Sequence, residues 1–566
     1  MRQRSEHSEV ARQARGGPTL YRSAPMRLRT FALAALALVL LSMFATPAAQ
    51  ASPDQVSVMM DDDQLLYRTD KIRGRTLVQM RALGVDVVRA TVLWKTVAEG
   101  ASLTNKEISR LKGDAAKRKA RAQRARFKPR DPRTYPTRNW DRYDNLVKDA
   151  AKFGLRIYFT ITGPGPSYAH RKAPSSQRSN AGTYKPFPTR FRDFVEAVGR
   201  RYSGRTRDEN GIRKPLPRVS LWSIWNEPNQ PGWLTPQFEK RDGQVVPAAP
   251  ALYRKLYQAG VQGLERAGHN LTADGIFIGE TAPLGSSSQG PRNGMRPVPF
   301  LRELLCLKPD GTSYEGPDAA RRDCDDFVKN GPLQATAYAH HPYTKKAAPT
   351  KAPTNPDDLT IANIGTLGPL LDTLSAQSGG KIPAAMPVLL TEFGYESNPP
   401  DTRNGISYAK QAEYNQLAEF LAYNDPRVQA TTHFLLRDVA PLKRYPKGSR
   451  LYWFTYQSGL VTNSGRSKPA VFAYALPFVV FPSGDGVTGF WGQLRFRPNV
   501  VQDIAVIMWR PDSKSPWQQL GEPVATTARG FFTGTVPTPG PGGEYRAVYV
   551  NPDNGRITHS SLPAKL

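Results

Sequence analysis

The stretch SLWSIWNEPNQPGW, residues 220–233, is an alternating apolar run that stops at Asn226, Glu227 and Pro228. Alternation of this kind predicts a strand, and a carboxylate at the carboxyl end of an apolar strand is where (β/α)8 enzymes present a catalytic acid. Moving outward in both directions, seven more short apolar runs rich in β-branched and aromatic residues appear. They are VSVMM, DVVRATVLW (86–94), LRIYFTITG (155–163), GIFIGET (275–281), ATAYAHHPY (335–343), PVLLTEFGY (387–395) and ATTHFLLRD (430–438). Amphipathic stretches of helical length separate most of them, among them WDRYDNLVKDAAKFG, RFRDFVEAVGRRY and SYAKQAEYNQLAEFLAYN. Several end on Gly or Asn, as helices tend to. Eight such units predict an α/β fold, a closed (β/α)8 barrel over residues 52–483. An open doubly wound sheet is disfavoured, because no Gly-rich phosphate loop opens the first unit. From about Gly484 helical periodicity gives way to short β-like runs, QLRFRP, DIAVIMWRP, GFFTGTV and EYRAVYV, between Pro and Gly turns. They predict a small antiparallel β-domain over 484–566. Packing against the barrel is its expected role, with carbohydrate binding the functional alternative.

Residues 1–51 read separately, as an N-terminal extension and signal peptide. Arg27 and Arg29 precede an apolar run from Phe31 to Ala45, and Ala49-Gln50-Ala51 fits a signal-peptidase site. Cleavage after Ala51 and export follow, since the run falls short of the roughly 20 residues a membrane span needs. In an oxidising compartment Cys306 and Cys324, the chain's two cysteines, are expected to form a disulfide.

The net charge is +30, and residues 1–51 hold seven Arg against two Glu, which leaves +25 for the rest. Much of it lies in Asn105–Asn139, with 13 Lys or Arg against three acids. Such a run is usually a solvated helix or loop; attraction to an anionic cell-envelope polymer is the sharper expectation. Nucleic acid is not an expected partner, because no nucleic-acid-binding motif is visible.

One carboxylate proves little, so its partner matters. Hydrolysing a glycosidic bond with retention takes two carboxyl groups about 5–5.5 Å apart, one to protonate the leaving oxygen and one to attack the anomeric carbon. Glu227 and Glu392 each end an apolar strand, the fourth and the seventh, and these lie across the mouth of an eight-stranded barrel. WNEPN alone is moderately specific; with LLTEFGY about 165 residues later in a barrel pattern the signal is strong.

With these motifs, residues 56 to 475 resemble the clan A retaining glycoside hydrolases, most closely families 5 and 39. The resemblance implies that Glu227 is the acid/base, that Asn226 holds the sugar 2-hydroxyl and that Glu392 is the nucleophile. It further implies that Arg89 sits beneath the nucleophile, and that His341 and Tyr343, in HHPY, match a His-x-Tyr pattern whose Tyr orients it. The substrate would be an oligo- or polysaccharide or a glycoconjugate. Two positions depart from the clan. Strand eight ends FLLRD where a Trp platform is usual, with Trp453 expected to fold into that space, and TGPGPSYAH replaces a His near strand three.

Trp94, Trp233 and Trp453 are expected to stack on sugar rings, whose C–H faces suit aromatic surfaces. Glu280, a third strand-end carboxylate in FIGETAP, is expected to support the barrel rim or a neighbouring His. There is no H-E-x-x-H or G-x-S-x-G motif, so neither a metal nor any other cofactor is expected. The alternative is a surface glycan-binding or scaffold protein that kept the barrel without turnover.

Overall fold

In the computed structural model, which describes residues 51–210, 214–497 and 503–566, all eight expected runs become parallel strands. They are β1 (Val56–Met60), β2 (Val87–Leu93), β3 (Arg156–Thr162), β4 (Leu221–Ile224), β5 (Gly275–Thr281), β6 (Ala337–His340), β7 (Val388–Phe393) and β8 (Val428–Phe434). Each pairs with its neighbours in chain order and β8 closes on β1, giving a complete barrel. The expected N-terminal extension and signal peptide fall, as far as residue 50, outside the described residues.

The pleat sorts side chains between two layers, because successive strand residues face opposite sides. Val58, Val87, Tyr158, Phe277 and Ala337 fill the barrel's interior. Val88, Ala90, Val92, Ile157, Phe159 and Ile161 instead face the ring of helices. Among those helices are Asp141–Lys152, Pro188–Arg201, Ala249–Arg266 and Tyr408–Tyr423. The Pro188–Arg201 helix starts on proline, whose fixed φ suits the first turn, and buries Phe191, Phe194, Val195 and Val198.

Two strands break the alternation at their carboxyl ends. In β5 the register against β6 shifts between Gly279 and Thr281, so Glu280 is an extra residue, with φ at 50°. In β7 the register against β8 shifts between Leu390 and Phe393. Such bulges re-aim side chains, and both turn a glutamate toward the barrel axis.

The antiparallel C-terminal region starts earlier than Gly484. Its first strand, β9 (Phe478–Pro482), pairs with β10 (Val487–Gln493), which pairs in turn with β12 (Phe531–Pro537). The FVVFP run is continuous rather than alternating, so its sequence carries no period-two signal. A second sheet is built on β11 (Ile504–Arg510), β13 (Glu544–Val550) and β14 (Ile557–Ser560). This region covers the amino-terminal end of the barrel. Phe531 and Trp491 pack on Tyr423, Arg529 reaches Asp86 at 3.1 Å, and Arg495 donates to the Tyr474 carbonyl at 2.8 Å. Gly84, at φ +81°, lies so close to the Arg495 backbone that a β-carbon would overlap its carbonyl oxygen.

Cys306 and Cys324 form the expected disulfide, in the segment after β5. It spans 18 residues, and closing a loop of that size contributes about 3 kcal/mol in the chain-entropy account. Replacing both cysteines by Ala is therefore expected to lower the unfolding free energy by about that amount. An unchanged denaturant midpoint would mean the loop is already ordered without the bond.

Candidate active site

At the carboxyl end of the barrel the backbone bends sharply after β4. Trp225 and Glu227 both have positive φ, 74° and 36°, on either side of Asn226. Non-glycine residues reach that region only when their surroundings hold them there. Here the Glu227 N–H donates to the Glu280 carbonyl at 2.9 Å, so the bulge in β5 fixes the chain that carries Glu227.

The side chains converge on two cations. Arg89, fully buried, donates to Glu392 Oε1 at 2.7 Å, to Asn226 Oδ1 at 3.1 Å and to Glu280 Oε2 at 3.1 Å. His341, also fully buried, bonds Glu227 Oε1 through Nδ1 at 3.0 Å and Glu280 Oε2 through Nε2 at 2.6 Å. Tyr343 donates its hydroxyl to Glu392 Oε2 at 3.1 Å. Oxygens of Glu227 and Glu392 lie within 4.8 Å of one another. Both glutamates keep some exposure at the mouth, 21% and 13% of their side-chain surface.

Glu280 is the buried hub. Besides Arg89 and His341 it accepts hydrogen bonds from the hydroxyls of Thr391, at 2.6 Å, and of Tyr158. Burial alone would raise its carboxyl, but Arg89 and His341 outweigh burial and hold it well below the usual carboxylate range. For His341, burial opposes the charged form, yet Glu392, Glu227 and Glu280 together push the imidazole up to about 10. Carboxylates at both ring nitrogens favour the imidazolium, in which each N–H donates to one of them.

That state carries a stability signature. An unfolded His titrates near 6.5, so the folded-state gain is fully present below that pH and is lost as pH rises toward about 10. Stability of the native protein is expected to fall across this window more steeply than that of His341→Gln, measured by denaturant titration at several pH values. Parallel slopes would show that His341 is not held as the cation.

Glu227, His341 and Glu392 also bring one potential metal-ligand atom each within 4.8 Å. Both ring nitrogens of His341 already face carboxylate oxygens, Nδ1 that of Glu227 and Nε2 that of Glu280.

The structure thus brings together Glu227, Glu392, Asn226, Arg89, His341 and Tyr343, and it separates two of the expected tryptophans from them. Trp94 is fully buried, stacked on Phe194 at 5.4 Å. It continues the outward register of Val88, Ala90 and Val92, opposite to that of Arg89, so it packs between barrel and helices rather than facing a sugar. Trp453 is 5% exposed and packs edge-on against Tyr452. The exposed rings of that segment are Phe454 and Tyr456. Tyr456 packs edge-on against Phe434 at the end of β8 and lies near enough to the Glu227 and Glu392 carboxylates to feel their charge. Tyr456 therefore stands where a strand-eight aromatic was sought. Trp233 is half-buried on the turn after Glu227, its carbonyl accepting from the Trp225 indole at 3.2 Å. Asp438 is taken up by a buried pair with Lys468 at 2.7 Å.

No family model matches this chain, and no curated protein matches it. Among solved structures it is similar to a family 39 glycoside hydrolase from Bacteroides cellulosilyticus WH2, at 12% identity and a TM-score of 0.44, over 87% of this chain and 81% of that one. It is similar to a glucosidase from Croceicoccus marinus at 14% identity and 0.43, over 91% and 92%. A GH5_18 structure from Streptomyces cattleya in complex with GlcNAc matches at 16% identity and 0.41, over 75% and 79%.

Proposed function

We propose that this chain is an exported retaining glycoside hydrolase acting on β-glycosidic bonds. The observation that carries the reading is the pair of carboxylates at the mouth, with oxygens within 4.8 Å and each held by a different cation. Separations near 5–5.5 Å suit direct attack on the sugar, whereas about 6.5–9.5 Å leaves room for an intervening water. The Glu392 carboxylate, aligned by Arg89 and Tyr343, attacks the anomeric carbon. The glycosidic C–O bond breaks and Glu227 gives its proton to the departing oxygen. A water then attacks the same carbon as Glu227 removes its proton, and Glu392 is released. Asn226 has its carbonyl oxygen engaged by Arg89, so its amide N–H groups are the part left for a sugar hydroxyl. Tyr456 offers the aromatic face for the ring. The disulfide supports export, since such bonds persist in oxidising compartments.

The test is turnover of a panel of aryl β-glycosides and polysaccharides, with the anomer of the first product read by NMR before it mutarotates. Retention is expected. Inversion would overturn the mechanism, and glycan binding without any turnover would point to the binding-module alternative.

A further inference from the structure

A groove of about 1140 Å³ runs along the outer flank of the barrel, and its lining shares no residue with the carboxylate site. One wall is the segment 127–133, where the basic insertion after β2 ends. The other is the helix Pro188–Arg201 and the chain that follows it to Arg207. Arg190 and Arg200 both line it, ten residues apart and so about 15 Å along the helix axis. The groove is long enough for several sugar units.

Its charges do not cancel. The three acids are each matched within the groove: Asp131 by Arg133 at 2.9 Å, Asp193 by Arg130 at 3.7 Å and Glu196 by Arg200 at 2.5 Å. Lys128, Arg190, Arg205, Arg207 and Arg266 remain exposed and form no ion pair among the described residues. A second observation extends the track. The helix Asp114–Arg126 runs directly into the 127–133 wall, carries six Lys or Arg from Lys117 onward, and buries no side chain. Packing does little to stabilise it, and like charges three and four residues apart oppose it. Its acidic residue, Asp114, lies 3.9 Å from Lys117.

We infer that this groove and the basic helix above it form a binding track for a linear, carboxylate-bearing polysaccharide. Guanidinium forks match carboxylates in a bidentate fashion. A flat membrane surface would not reach the floor of a concave groove. Single-stranded nucleic acid needs aromatic faces to stack on, and Phe127, the aromatic residue of the lining, is already packed against Tyr135 and Tyr168. The preference for a polysaccharide over an inorganic polyanion rests on the glycosidase reading. The binding site itself does not.

The test measures binding of the full chain to polygalacturonate, neutral dextran, polyphosphate and single-stranded DNA across a salt series, without any turnover readout. Polygalacturonate is expected to bind tightest, with log K falling against log salt at a slope of about −3.5 if five cations engage it. Replacing Arg190, Arg205, Arg207 and Arg266 together by Gln should weaken binding at low salt by roughly tenfold or more and flatten that slope. These side chains are exposed and unpaired, so thermal unfolding should not change. A control with the same charge loss, Lys71→Gln, Lys410→Gln, Lys447→Gln and Lys514→Gln, should bind as the native protein does. Equal weakening in the control, tightest binding to DNA or polyphosphate, or no binding at all would overturn the proposal. Because binding is read directly, an inactive carboxylate pair would leave this result intact.

Discussion

Glu392→Ala is expected to lower turnover of aryl β-glycosides by roughly 10⁴-fold or more, the scale on which loss of a covalent nucleophile usually falls. Added azide should restore it, releasing a glycosyl azide of the opposite anomeric configuration. The substitution empties a space that Arg89 and Tyr343 border from two sides, so a small anion enters a site that still holds its cation. Attack by azide inverts the anomeric carbon once, where the native two-step route inverts it twice. Glu227→Ala should behave differently: kcat/KM falls steeply on poor leaving groups and little on activated aryl groups that depart without a proton, while kcat falls on both because the base that activates water in the second step is gone. Full activity in Glu392→Ala, or loss without azide rescue while the protein stays folded, would remove Glu392 from the nucleophile's role.

The second large effect concerns the support beneath that site. Arg89→Met is expected to destabilise the fold by about 3–5 kcal/mol, because it takes from the buried Glu280 carboxylate one of its two cationic partners. Glu280 is fully buried, as is Arg89, 3.1 Å away. The side chain also loses its bonds to Glu392 and Asn226. Adding Glu280→Gln to Arg89→Met should recover part of the loss, since a neutral amide is cheaper to bury than a charge that has lost a partner. Residues in one network couple in this way. A single variant within 1 kcal/mol of native by denaturant titration would show that His341 and the hydroxyls alone sustain Glu280.

The parts of this arrangement that sequence revealed are those where periodicity holds. Eight runs of β-branched and aromatic residues separated by helical stretches gave the barrel, and strand-end positions picked out Glu227 and Glu392. Trp94 follows directly on β2, five residues beyond Arg89, an odd separation that places them on opposite faces, and the alternation already contained the reason Trp94 is buried. The bulges were not legible. Phe277 faces the interior, so unbroken alternation would turn Glu280, three residues on, toward the helices. One extra residue reverses that and makes it the hub, and no local composition announces such an insertion. Tyr456 was missed for another reason, because it belongs to a loop whose path is set by tertiary contacts rather than by its own pattern.

The C-terminal sheets sit beneath the barrel, and the first described residues lie there too, with Ser52 donating to the Tyr423 carbonyl at 2.9 Å. The mouth with Glu227 and Glu392 is at the opposite pole. A molecule held through its C-terminal sheets would turn its mouth outward, toward whatever polymer diffuses past, and its basic flank would stand alongside rather than beneath it.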